Sequence, residues 1–349
     1  MSRLAFAVPG DLATPTGGYA YDRRMIAELR ALGWDVDVIG LGEGFPRPAP
    51  GTSAAAEARL AAVPGDRPVV VDGLAFGVLP EAAARLRASH RLLALVHHPL
   101  AMESSIPPDE AARFRARERA ALACTRGVIV TSAATARLLV ADYAVPPDRI
   151  TVAVPGTDRA RIAARDPSGR PLLLGVGAVV PRKGYDVLVE ALSGLTDLPW
   201  RLVIAGDRRR SPATIAALED EIVRLSLADR VTLAGAVSAE DLAVLYTTAD
   251  LFVLPSRFEG YGMAYAEAIA HGLPVVGTTA GAIPETVPAE AGVLVPPDDA
   301  AALTRVLHRL LVDPAERVRL AAGARAAAAR LPTWRDSAEA FARALGAVA

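Results

Sequence analysis

Short apolar runs alternate with helical stretches along nearly the whole chain, and this alternation constrains the fold more than any other feature of the sequence. Up to residue 156 the runs are LAFAVPG, DVDVIGL, PVVVDGL, LLALVHH, GVIVTS and ITVAVPG. After residue 170 they are PLLLGVGAVV, WRLVIAGD, RVTLAG, DLFVLPS, LPVVGTT and AGVLVPP. Most are continuously apolar, as parallel strands covered on both faces must be. Stretches such as YDRRMIAELRALG, ending at Gly33, and PDEAARFRARERAALAC read as the helices between them. A βαβα rhythm of this kind predicts α/β architecture with doubly wound parallel sheets. The rhythm lapses into polar and turn-forming residues at TDRARIAARDPSGR, residues 157–170, and then restarts.

At 349 residues the chain is longer than one ordinary core serves, so two Rossmann-like domains are expected, over 1–160 and 161–330. A hydrophobic fraction of 52% against 22% charged residues supplies ample core and excludes a disordered chain. With 38 basic and 39 acidic side chains the formal net charge is -1, which gives no general attraction for nucleic acid. The single cysteine, Cys124, excludes an internal disulfide and reads as a small buried thiol. No apolar run reaches the roughly 18 residues of a membrane-spanning helix. The N-terminus reads as a first strand rather than a signal peptide, so a cytoplasmic setting is expected. The arginines of FRARERA (Arg113, Arg115, Arg117 and Arg119) are diluted by Glu110 and Glu118 and read as a solvated helix. Membrane-surface association, peripheral at the inner face, is not indicated.

In open α/β sheets ligands bind beyond the carboxyl ends of strands, so the loops after the strands carry the functional information. SRFEGYGMAYAEAIAHGLPVV, residues 256–276, holds Glu259 and Glu267 with seven residues between them. Glu259 lies in a loop before Gly260-Tyr261-Gly262, where glycine permits positive φ and close backbone approach. A helix then begins near Met263, with unpaired amides that suit a phosphate. From Met263 to Leu273 that helix is apolar nearly all round and leaves Glu267 no evident solvent face. Glu267 reads either as an internal ion pair or backbone cap, or as a ligand-binding carboxylate. Arg182 and Lys183 follow VGAVVP at another strand end, as plain solvated charge or as cations for a departing phosphate. The segment VPGDLATPTGGYAYDRRM reads as a long loop containing Gly17 and Gly18 ahead of a helix, and it lacks a dinucleotide fingerprint. His97 and His98 end LLALVHH and stand open as structural, metal-binding or catalytic groups. No H-E-x-x-H spacing accompanies them, so no metal is expected. Asp11, Asp72 and Glu103 also follow strands and are candidate ligand contacts.

These motifs, in this order, resemble the signature of retaining GT-B glycosyltransferases of family 4, the glycosyl transferases group 1. The resemblance runs through GVGAVVPRKGYDVLVEAL, WRLVIAGD, DLFVLPSRFEGYGMAYAEAIAHGLPVV, AGAIPETV and AGVLVPPDD and extends over nearly the whole chain. It implies a GT-B fold, two doubly wound Rossmann-like domains facing across a cleft, with residues 331–349 as a helix crossing back to the first. It implies donor-ribose hydrogen bonds to Glu267 and a place facing the transferred sugar for Glu259. Backbone contacts to sugar and phosphate fall to Gly260, Tyr261, Gly262 and Met263. Gly17 and Gly18 would lie over the diphosphate, with further donor contacts at Gly206, Ala236 and Val237. His97 would stand beside the reacting sugar, with Asp11, Asp72, His98 and Glu103 as acceptor-side candidates. Many relatives carry Gly-Arg after the seventh strand; this chain has Gly177-Ala178, which gives the phosphate role to Arg182 with Lys183 beside it.

The activity so implied is retaining transfer of a sugar from a nucleotide-diphosphate sugar to an unidentified acceptor, without metal or cofactor. The donor base stays open. The competing classes are a nucleotide-sugar 2-epimerase-like isomerase and a catalytically degenerate nucleotide-sugar-binding protein. Turnover that requires an acceptor separates the first from both others.

Overall fold

The computed structural model describes residues 2–103, 106–160 and 170–348, so most of the polar linker read at 157–170 lies outside it. The chain divides into two compact units, residues 1–156 together with 332–349, and residues 157–331.

Every apolar run becomes a parallel strand. In the first unit these are β1 (Arg3–Val8), β2 (Asp35–Gly40), β3 (Pro68–Asp72), β4 (Arg91–Val96), β5 (Gly127–Val130) and β6 (Ile150–Val152). In the second they are β7 (Leu172–Val176), β8 (Arg201–Ala205), β9 (Val231–Gly235), β10 (Leu251–Val253), β11 (Val275–Thr278) and β12 (Gly292–Val295). The two six-stranded sheets run in the orders β2-β1-β3-β4-β5-β6 and β12-β11-β10-β7-β8-β9.

Hydrophobic pattern decides position within each sheet. All residues of β3 and β5 are buried, as central strands between two helical layers require. The run DVDVIG carries Asp35 and Asp37, and it becomes the edge strand β2 with only Val36 fully buried. β9 has only Val231 fully buried and lies at the other sheet's edge. Charge along an edge also discourages pairing with a foreign strand.

The winding reverses between β1 and β3 in the first sheet and between β7 and β10 in the second. At such a reversal the two connections leave to opposite faces and open a crevice at the carboxyl ends, the usual ligand position in sheets of this type. The loops after these four strands are therefore where chemistry is expected.

The segment 332–349 is a structural part of the first unit. Its helix Trp334–Gly346 opens with a capping box in which Thr333 and Asp336 exchange side-chain-to-backbone hydrogen bonds. Phe341 stacks on Phe6 with ring centroids 6.1 Å apart, and Trp334 lies 5.9 Å from Tyr21. The approach depends on Gly156, since a Cβ there would stand 2.2 Å from the Trp334 nitrogen and 2.3 Å from its Cα.

Three local expectations change. The glycines Gly17 and Gly18 do not belong to a loop: the helix runs Gly17–Ala31, capped by the Thr16 hydroxyl accepting from the Tyr19 amide. The run from Met263 is helical only to Ala270, because Gly272 takes φ of 66° and ends it. Glu118 is no surface charge diluting the arginines of its helix, Pro108–Leu122, but is buried and accepts from the Leu100 amide at 3.1 Å. Burial pushes it up to about 8. The arginines Arg113 and Arg117 do lie on the exposed face, paired with Asp109 and Glu81. Cys124 is half-buried beside the first core. No helix among the described residues is long and apolar enough to cross a membrane.

Replacing Gly156 with alanine forces a backbone collision that no rotamer relieves, and the expected loss is about 3 kcal/mol in urea unfolding. Gly51 is helical with nothing near its Cβ position, so Gly51→Ala serves as control and is expected to stabilise by up to about 1 kcal/mol. Equal effects of the two substitutions would refute the tight crossing at Gly156.

Candidate functional site

The second unit gathers its charged groups at the β7–β10 reversal. After β7, Gly177 takes φ of 149°, and a Cβ there would lie 2.8 Å from the Lys183 Cε. The chain then makes a short 3-10 turn over Pro181–Lys183 and passes Gly184 in left-handed conformation. A Cβ on Gly184 would meet the Pro255 carbonyl oxygen at 2.1 Å. Glycine here is what allows the loop carrying Arg182 and Lys183 to lie against the end of β10.

Glu259 occupies the point so reached. Lys183 Nζ donates to its Oε1 at 2.7 Å, Arg182 Nη1 donates to Oε2 at 3.1 Å, and the Ser256 hydroxyl donates to Oε1 at 2.7 Å. The backbone is fixed as well, with the Ala282 amide donating to the Glu259 carbonyl at 2.9 Å. Burial opposes ionisation, but the charges of Lys183 and Arg182 outweigh it and hold the carboxyl down at about 2. Two cations and one carboxylate leave one net positive charge at the carboxyl edge of the sheet. Arg182 and Lys183 are thus not free solvated charges, and both oxygens of Glu259 are committed to their partners.

Immediately beyond, Gly262 takes φ of 91° and starts the helix Met263–Ala270 with no side-chain cap on its first amides. The Thr286 hydroxyl donates to the Tyr261 carbonyl at 2.6 Å and fixes the turn. A net positive charge beside an uncapped helix start is a favourable seat for an anion.

Glu267 lies one turn into that helix and is half-buried rather than enclosed. Its Oε2 accepts from the Tyr246 hydroxyl at 2.8 Å. Among the described residues neither an ion pair nor a backbone cap accounts for it. Burial raises its pKa above the ordinary glutamate value, and the tyrosine hydrogen bond works against that. Tyr246 is itself held by stacking on His271, with centroids 5.0 Å apart.

Three further donor-side candidates, Gly206, Ala236 and Val237, follow strands of this same sheet. Gly206 follows β8, and a Cβ there would stand 1.9 Å from the Gly177 carbonyl oxygen, so the loops after β7 and β8 meet backbone to backbone. The Gly206 amide donates to the Gly235 carbonyl at 2.8 Å, which draws in the end of β9. Ala236 is exposed and Val237 half-buried in the loop that follows.

In the first unit the β1–β3 reversal holds a second cluster. His97, after β4, places Nε2 3.2 Å from Asp22 Oδ1 and 3.4 Å from Asp72 Oδ2. Asp72 ends β3 and also accepts from the Leu74 amide at 2.7 Å. Gly18 lies against the imidazole, and a Cβ there would be 3.3 Å from the His97 Cδ2. Gly17 is exposed one residue earlier. The ligand atoms of Asp22, Asp72 and His97 all lie within 4.8 Å of one another, a donor set that metal-motif spacing could not reveal. His98 and Glu103 form a separate, looser pair at 3.7 Å. Asp11 is exposed, accepts from the Ala13 amide at 2.8 Å in a local turn, and does not join the cluster.

Sequence reasoning missed Asp22 and Tyr246. Asp22 is followed by two arginines and reads as surface charge, yet it is wholly buried. The available signal was helical spacing: Asp22, Met25, Ile26 and Leu29 fall on one face, and all four are buried.

Residues 170–313 match the family model described as glycosyl transferases group 1. A D-inositol 3-phosphate glycosyltransferase of Xylanimonas cellulosilytica is 36% identical over 241 residues, 64% of this chain and 57% of that protein. An MMP alpha-(1->4)-mannosyltransferase of Mycolicibacterium hassiacum is 30% identical over 311 residues, 84% of this chain and 73% of that one. The match thus spans little more than half the length of the first relative and nearly three quarters of the second. Among solved structures, sucrose-phosphate synthase from Thermosynechococcus elongatus superposes with a TM-score of 0.83 at 24% identity, covering 98% of both chains. That likeness fixes the architecture as GT-B. Together with the sequence relatives, it establishes that the chain belongs to the glycosyl transferases group 1 family.

Proposed function

We propose that the protein transfers a sugar from a nucleoside-diphosphate sugar to an acceptor hydroxyl with retention of anomeric configuration. The observation that carries this reading is the Glu259–Lys183–Arg182 triad, positively charged overall, beside the uncapped start of the Met263–Ala270 helix. In the reaction the bond from the sugar's anomeric carbon to the diphosphate oxygen breaks, and the leaving nucleoside diphosphate keeps the electron pair. Lys183, Arg182 and the amides near Gly262 and Met263 stabilise the charge that builds there, without reorganising when it appears. The acceptor oxygen bonds to the anomeric carbon on the same face, and its proton passes to the departing phosphate. This front-face course rests on the family signature.

Glu259 serves first to hold both cations in place, and the Gly260–Gly262 turn it anchors presents backbone to the donor sugar. Glu267 receives the ribose hydroxyls on the oxygen that Tyr246 leaves open. His97 assists at the transferred sugar. The donor base is read by backbone near Ala236 and Val237.

Release of nucleoside diphosphate is expected only when an acceptor is supplied, which distinguishes transfer from epimerisation and from simple binding. Lys183→Ala is expected to lower turnover by about 10²- to 10³-fold. Glu267→Gln is expected to raise donor KM by about tenfold or more, since a charged hydrogen bond contributes roughly 1.5–3 kcal/mol. Acceptor-independent release, or a change under about threefold in both variants, would overturn the reading.

The triad also sets an acid limit. A carboxyl held at about 2 when folded, against an ordinary 4.5, contributes stability that is complete above 4.5 and is lost as pH falls through about 2. The stability difference between the wild type and Glu259→Gln should therefore be largest above pH 5 and shrink steadily toward pH 3. A difference independent of pH in urea unfolding would show that folding does not lower the Glu259 pKa.

A further inference from the structure

The first unit contains a buried charge problem that the donor chemistry does not address. Asp22 comes from the helix Gly17–Ala31, Asp72 from the end of β3 and His97 from the end of β4, so three elements bring one histidine and two acids together. Asp22 is 0% exposed and Asp72 2%. Both press on the same ring nitrogen, at 3.2 and 3.4 Å. The Oδ2 of Asp22 is buried and has no hydrogen-bond partner among the described residues.

The other groups around the imidazole are uncharged. Tyr21 stands edge-on at 5.3 Å and gives its hydroxyl proton to the Ala153 carbonyl. Gly18 contributes no side chain, and the Thr131 hydroxyl donates to the His97 carbonyl at 3.1 Å. His98, next in the chain, faces Glu103. Among the described residues, the charged groups that act on His97 are thus Asp22 and Asp72.

With a neutral imidazole the two acids would lie out of water with no positive partner, and each would either ionise at a cost of several kcal/mol or keep its proton. A proton on each ring nitrogen removes one of those charges. We propose that Asp22 and Asp72 clamp the Nε2–H of His97, keep the imidazole doubly protonated through neutral pH, and so present its Nδ1–H as a fixed cationic donor to a substrate oxygen. Asp22 is then a positioning residue that acts through His97. The benefit to sugar transfer rests on the function proposed above; the protonation state does not.

The electrostatics agree with the geometry. Burial would lower the His97 pKa, but Asp22 and then Asp72 outweigh it and raise it above the ordinary histidine value. Burial pushes Asp22 above the ordinary carboxylate value, His97 pulls it back and Asp72 adds to the rise. A histidine raised in this way holds its cation where an ordinary one has lost most of it.

The test is a titration of the full-length protein labelled with 15N-histidine, read by long-range proton–nitrogen correlation between pH 6 and 10. His97 is assigned among the five histidines by its absence in His97→Gln. The expected result is an imidazolium signature on both nitrogens at pH 8, with the midpoint lowered by at least about one unit in Asp22→Asn. A wild-type midpoint below about 7, or one unmoved by Asp22→Asn, would overturn the proposal. So would stoichiometric zinc or manganese, added as the chloride and lost in Asp22→Asn, because a metal would occupy the lone pair that the Nε2 proton needs. If Asp22→Asn does not fold, the wild-type titration decides alone. An imidazolium in a protein that binds no nucleoside diphosphate would support the clamp while sinking the transfer reading.

Discussion

A carboxylate removed from water must be paired, hydrogen-bonded or protonated, and this constraint shapes both strand-end clusters of the chain. Glu259 meets it with two cations and a hydroxyl. Asp22 and Asp72 meet it through one histidine. Glu267, only half-buried, is met among the described residues by the Tyr246 hydroxyl and keeps capacity to accept more. Removing one partner of a buried ion pair typically costs about 3–5 kcal/mol, which is more than a surface charge would ever lose. Arrangements so sensitive to substitution stay in place because their partners are fixed by backbone contacts.

Those contacts come from glycine. Gly177, Gly184 and Gly206 each lie where a methyl group would press on a neighbouring segment, at 2.8 Å from Lys183 Cε, 2.1 Å from the Pro255 oxygen and 1.9 Å from the Gly177 oxygen respectively. They draw the loops after β7, β8 and β10 into contact where the sheet's winding reverses. The parallel sheet supplies the position, the glycines supply the closeness, and the charges then have no room to separate. The first unit repeats the scheme on a smaller scale, with Gly18 letting the imidazole of His97 rest on the helix that carries Asp22.

Much of this was legible in the sequence because parallel strands leave an unmistakable mark. Every strand is a run that reads as one, and even the edge position of β2 follows from Asp35 and Asp37. Arg182, Lys183, Glu259 and Glu267 could be singled out because charge after an apolar run has few structural excuses. Asp22 could not, because its two arginine neighbours disguise it until the helix face is drawn. Glu118 failed in the same way, on the buried face that Phe114, Ala121 and Leu122 share within a basic helix. Tyr246 gave no signal, since a tyrosine on an amphipathic helix is ordinary packing until its hydroxyl finds Glu267. The commitment of Glu259 to both cations also escaped, because a pairing across 76 residues is a property of the fold.

The most direct test is a crystal structure with a bound nucleoside diphosphate, soaked or co-crystallised across the common bases. The account predicts diphosphate oxygens within hydrogen-bonding distance of Lys183, Arg182 and the amides at Gly262 and Met263, with ribose hydroxyls on the Glu267 carboxylate. A nucleotide bound elsewhere, or one whose phosphates leave both cations wholly with Glu259, would contradict it.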